Sequence, residues 1–93
     1  MTTDEKPVAV VKYVDMPLKM QQDAVDTCYE GMENFTEEFE MASYLKKEFD
    51  RKYKPNWQCI VGKSYGSFIS HEENGFIFFN MNGYAVMLFK AGF

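Results

Sequence analysis

The dipeptide Asn82-Gly83 stands between two strand-like runs, GFIFFNM before it and YAVMLFK after it. Both residues accept positive φ, which a two-residue hairpin turn needs if its twist is to match the flanking strands. The turn also sets the register: Met81 opposite Tyr84, Phe79 opposite Val86 and Phe78 opposite Met87, pairs that stack well across a sheet. An antiparallel hairpin therefore closes the chain, and the upstream elements have to pack against it.

Immediately upstream, WQCIVGKSYGSFIS at 57–70 holds two further β-patterned runs separated by a turn signal. In the second run Tyr65, Ser67, Ile69 and His71 point one way, and Ser64, Gly66, Phe68 and Ser70 the other. Neither set is cleanly apolar, and Gly66 leaves backbone bare. That pattern suits an edge on which another chain lies down and pairs main chain to main chain, although an ordinary edge strand without a partner carries the same one.

The first half reads strand, helix, helix. VAVVKYV at 8–14 is β-branched and should be covered on at least one face. Asp15 stands where an N-cap belongs, with Pro17 in the first turn of a helix running to about Asn34, whose stripe is Leu18, Val25, Cys28, Met32 and Phe35. Thr36 is the cap candidate for a second helix. Its acids Glu37, Glu38 and Glu40 and its bases Lys46, Lys47, Arg51 and Lys52 sit as the helix dipole prefers, its stripe is Phe35, Phe39, Ala42, Leu45, Phe49 and Tyr53, and Pro55 stops it. The expected order is β-α-α-β-β-β-β, an α+β domain with two helices packed on an antiparallel sheet.

A chain of 93 residues has room for one domain, with residues 1–6 expected to fray. Burying only roughly 60 to 65% of its unfolded surface, it should be marginal alone and gain from a subunit interface. Its 17% aromatic content leaves rings for such a surface. The net charge of −4 argues against nucleic acid and anionic membranes, and the basic cluster KKEFDRKYK is read as the solvated end of a helix. No run approaches the roughly 20 apolar residues of a spanning helix and no signal segment opens the chain, so an intracellular, soluble protein is expected. Cys28 and Cys59 are isolated, and no disulfide is expected. The sequon at Asn34 is set aside for the lack of a secretory signal.

Catalysis finds little support. Gly62-Lys63-Ser64-Tyr65-Gly66 matches the G-x-S-x-G nucleophile elbow, but that motif needs a strand turning into a helix, then an acid and a histidine. Here a strand is expected to follow, and no acid lies between Ser64 and the only histidine, His71. One histidine and two scattered cysteines do not make a usual zinc site, and no cofactor is expected.

Lys46-Lys47-Glu48-Phe49-Asp50, Lys52-Tyr53, Pro55, Trp57, Cys59-Ile60-Val61-Gly62, Gly66-Ser67 and His71-Glu72 together resemble the eight-kilodalton cytoplasmic dynein light chain. Asp15-Met16, Met20-Gln21-Gln22-Asp23, Phe76-Ile77 and Leu88-Phe89-Lys90 extend the resemblance in ungapped register over nearly the whole chain. The resemblance implies a non-catalytic, strand-swapped homodimer in the cytoplasm, associated with microtubules. Its two grooves each take an extended client segment, often containing Thr-Gln-Thr, as an added strand; the dynein intermediate chain is one such partner. Carried over by position, Ser64, Tyr65, Gly66, Ser67, Phe68, Ile69 and Ser70 supply the docking strand, with His71 beside it and Phe76, Phe78 and Ala85 in the floor. Glu38 and Phe39 meet the client glutamine, and Gln58, Tyr65, Ser67 and Phe68 lie at the dimer interface. The chain departs from the family at Phe39, usually lysine, Asn80, usually tyrosine, and Tyr13, usually asparagine. Gln58 replaces an interface histidine and Ala91 a serine. The alternatives are an axoneme-restricted or non-motor structural subunit with one fixed partner and, distantly, a serine esterase.

Overall fold

The computed structural model describes residues 8–67 and 69–92. Its elements are β1 (Val10–Asp15), α1 (Leu18–Asn34), α2 (Glu38–Tyr53), β2 (Trp57–Gly62), β3 (Phe76–Met81) and β4 (Tyr84–Lys90). The four strands form one antiparallel sheet in the order β1-β3-β4-β2, with the helices on one face. The hairpin forms in the expected register, Met81 to Tyr84, Phe79 to Val86 and Phe78 to Met87. Asn82 and Gly83 take φ of 54° and 84° in its turn, the doubly positive geometry that such a hairpin needs.

Alternation along β3 divides the sheet into two different faces. Ile77, Phe79 and Met81 are buried on the helix side with Val86 and Leu88 of β4 and Trp57 of β2, against Ala24 and Cys28 of α1 and Leu45 and Phe49 of α2. Phe49 meets the Trp57 indole edge-on at 5.0 Å between ring centroids. Asp50 ties the same corner together, its Oδ1 accepting the Trp57 backbone N–H at 2.8 Å while Lys46 holds Oδ2. Gly31 lets the helices approach, since a Cβ there would lie 3.3 Å from the Tyr44 ring.

Several expectations are corrected. Asp15 does not cap α1: it ends β1 opposite Phe76, and its Oδ2 accepts the Asn74 backbone N–H at 3.2 Å. The strand ladder claims Asp15, and Pro17 becomes the N-cap without a side-chain hydrogen bond. Glu37 rather than Thr36 precedes α2. Leu18 and Phe39, placed on apolar stripes, are 81% and 72% exposed, each in the first turn of its helix. β1 is exposed along most of its length instead of covered. The described residues of 64–70, where a fifth strand is expected, form no strand in the single chain: Lys63 and Ser64 bend, Glu73 and Asn74 turn, and the described residues between them are irregular.

Candidate functional site

The helix-free face of the sheet is unusually aromatic. Reading across the strands, Tyr13, Phe78, Met87 and Ile60 form one row, and Asp15, Phe76, Phe89 and Gln58 the next. The non-strand segment after β2 lies over these rows. Tyr65 packs on Phe78 at 6.1 Å between centroids and donates its hydroxyl to the Ala85 carbonyl at 3.0 Å. Burial, with a smaller contribution from Cys59, pushes the Tyr65 phenol up to about 12. The Ser67 hydroxyl reaches the Met87 sulfur at 3.8 Å, and the His71 imidazole stacks on Phe76 at 4.7 Å.

Between segment and sheet lies a cleft of about 370 Å³ lined by Tyr13, Tyr65, Ser67, Ile69, His71, Phe76, Phe78 and Met87. A neighbouring cleft of about 410 Å³ is lined by Gln58, Ser70, His71, Phe89, Ala91 and Gly92. His71 thus borders both.

The single chain brings together most of the residues selected from sequence and leaves others apart. Tyr13, Tyr65, Ser67, Ile69, His71, Phe76 and Phe78 share the first cleft, and Ser70 and Gln58 border the second. Asn80 and Ala85 belong to the same sheet face but line a smaller cleft of about 170 Å³ near the hairpin turn. Ser64 and Gly66 are exposed, and Phe68 lies outside the described residues. Glu38 and Phe39 are in the helix layer, where Phe39 lines a separate cleft with Phe35 and Tyr44. Sequence reasoning missed Met87, Ile60 and Phe89 as site residues, although the register set by the Asn82-Gly83 turn already places Met87 opposite Phe78.

The motif around Ser64 has no hydrolase geometry. β2 ends at Gly62 and runs into bends rather than a helix. The His71 Nδ1 is 2.8 Å from the Glu72 carbonyl oxygen. Among the described residues no three His, Cys, Asp or Glu side chains gather as a metal site requires, and no helix is long and apolar enough to cross a membrane. Cys28 and Cys59 are free thiols, both raised by burial, Cys28 to about 12.

A family model described as dynein light chain type 1 matches residues 8–91. The chain belongs to the dynein light chain family. Among solved structures, the dynein light chain-like domain of the calcium binding protein FhCaBP2 from Fasciola hepatica is 21% identical, with a TM-score of 0.77 over 98% of each chain. A mercury derivative of that domain matches at 21% identity and TM-score 0.77, over 100% of this chain and 97% of the other. At that identity the likeness establishes the fold: two helices on a four-stranded antiparallel sheet, as in this family member.

Proposed function

We propose that this light chain is a non-catalytic, dimeric hub that binds short extended segments of partner proteins by β-strand addition, within dynein complexes and other assemblies. The observation that carries the reading is a strand-patterned segment, 64–70, whose described residues pair with no strand of their own chain and whose Tyr65, Ser67 and Ile69 line an apolar cleft. Unpaired main chain beside an aromatic floor is what strand addition uses: backbone hydrogen bonds give affinity and the pockets select side chains. Gly66 fits the same role. A Cβ there would meet nothing within 4 Å, so the chain's own packing gives no reason for glycine, whereas an adjoining backbone does.

The dimer follows from the sheet edges. β2 is an outer strand with one side open, and the corresponding 64–70 segment of a second copy is a natural occupant of that edge. In such a dimer Gln58, on β2, comes to the interface. Glu38 and Phe39, on the far side of their own sheet, can meet a client only from the second copy. The expected clients are extended segments containing Thr-Gln, the dynein intermediate chain among them.

Calorimetry with one Thr-Gln-Thr peptide, as a monomer and fused to a leucine zipper, tests the reading. Two grooves on one dimer should raise apparent affinity roughly 10²- to 10⁴-fold for the paired form. Equal affinities, or a protein sedimenting at the mass of one chain, would refute it.

A further inference from the structure

We infer that His71 makes the client cleft pH-selective, so that client segments carrying a carboxylate beside it are favoured as pH falls and neutral ones are not. This deepens the peptide-binding reading and rests on it. None of the eight residues lining the cleft is Lys, Arg, Asp or Glu, and His71 is the only histidine in the chain. Imidazole is the one side chain there able to change charge over the range from about pH 5 to 8.

The geometry determines what that charge does. The Glu72 carbonyl oxygen, an acceptor, is 2.8 Å from Nδ1, so Nδ1 carries hydrogen in either state. Nε2 then accepts when the ring is neutral and donates when it is protonated. The stack on Phe76, 4.7 Å between centroids with 20° between planes, fixes the ring and sets an aromatic face against the cation.

The surrounding charges favour the same switch. Glu72 and Glu73 flank His71 on its own loop, and Asp15 ends β1 opposite Phe76. On β4, Lys90 bonds that loop through its backbone alone; its side chain alternates with Phe89 onto the helix face, where its charge acts on Asp50. The Tyr65 phenol, raised by burial to about 12, adds no charge in this range. With His71 neutral, the carboxylates of Glu72, Glu73 and Asp15 disfavour an acidic client; protonation supplies the missing donor.

The test uses labelled nine-residue peptides containing Thr-Gln-Thr, each flanking position occupied in turn by Glu or Gln, in anisotropy titrations at pH 7.5 and 5.5. Glutamate stays largely ionised at both. Sedimentation at each pH establishes that the same oligomer is compared. At one flanking position the Glu-to-Gln affinity ratio should rise about five- to tenfold as pH falls, as a charge-assisted bond replaces a repulsive contact. In His71→Gln the ratio should not change with pH, whatever the absolute affinities. Gln peptides that bind while the ratio stays constant overturn this inference alone, as does an equal rise in His71→Gln. Failure of every peptide to bind at both pH values overturns the hub reading and this inference together.

Discussion

Replacing Asp50 should show how strongly one side chain holds the corner between α2 and β2. Its Oδ1 accepts the Trp57 N–H at 2.8 Å and Oδ2 pairs with Lys46, while the side chain keeps about a quarter of its exposure. A hydrogen bond to a charged group contributes roughly 1.5 to 3 kcal/mol, and a buried N–H left without a partner costs roughly 1 to 3 kcal/mol. A partly wet ion pair adds about 0.5 kcal/mol. These terms overlap, and water screens the exposed quarter, so Asp50→Ala should lose about 2 to 3 kcal/mol. At about 4 to 8 °C per kcal/mol for a domain this size, Tm should fall by about 10 °C or more. Asp50→Asn keeps an oxygen acceptor without the charge and should lose about 1 kcal/mol. The pH dependence has a definite sign. Burial opposes ionisation, but Lys46 and the Trp57 N–H outweigh it and hold the Asp50 carboxyl below its usual range. A carboxyl depressed in the folded state contributes stability above the unfolded value, about 3.9, and that contribution is lost as pH falls through the folded value. Urea melts of the natural protein and both variants, at one fixed protein concentration, should therefore show the natural-to-Asn gap at pH 7 narrowing towards pH 3. An Ala variant within about 0.5 kcal/mol of the natural protein at pH 7 would refute the accounting, as would a gap of constant size across that range.

Four further outcomes are expected. Phe79→Ala should cost about 3 to 5 kcal/mol in a chemical melt, because Phe79 is fully buried between sheet and helices. Gly66→Val should leave the thermal melt of the isolated fold nearly unchanged, since open space surrounds that position, yet abolish peptide binding in the anisotropy assay. In sedimentation, the proposed dimer should hold its dissociation constant from pH 7 to about 5.5, whereas Gln58→His should loosen it, because imidazoles paired at the proposed interface charge together there. Phe39→Lys should strengthen binding of Thr-Gln-Thr peptides and make it more salt-dependent, an ammonium replacing a ring that offers only apolar area.

What the sequence made legible was the part governed by local chemistry. The turn at Asn82-Gly83 and the alternation around it set the register of β3 against β4, and the charges of α2 set its direction; both match the structure. Helix starts were less legible, because Asp15 can serve either a cap or a strand ladder and only the distant pairing with Phe76 decides. Period alone also misplaced Leu18 and Phe39. A 3.6-residue repeat identifies residues that share a helix face, but not whether another element covers that face at a given turn. The buried positions at Met41, Ala24 and Thr27 depend on how the two helices and the sheet meet, which periodicity within one helix does not encode. The 64–70 segment differs from its strand pattern for a related reason. Strand hydrogen bonds need a partner, and its own sheet closes without it.

That missing partner links the core to the function. β3 carries aromatic residues on both faces, Phe79 on one and Phe76 and Phe78 on the other, but the described residues form two helices and both lie on the Phe79 side. Helix packing thus completes one face and leaves Phe76 and Phe78 half-buried under Tyr65 and His71. At roughly 25 cal/mol per Å² of apolar surface removed from water, finishing that second face is a substantial reserve for so small a domain. Moving those side chains into the core would stabilise the single chain and remove the driving force for the proposed docking. A sheet finished on one side by its own helices, and left aromatic on the other beneath an irregular segment, retains enough stability to fold and leaves unburied the surface that the proposed docking would use.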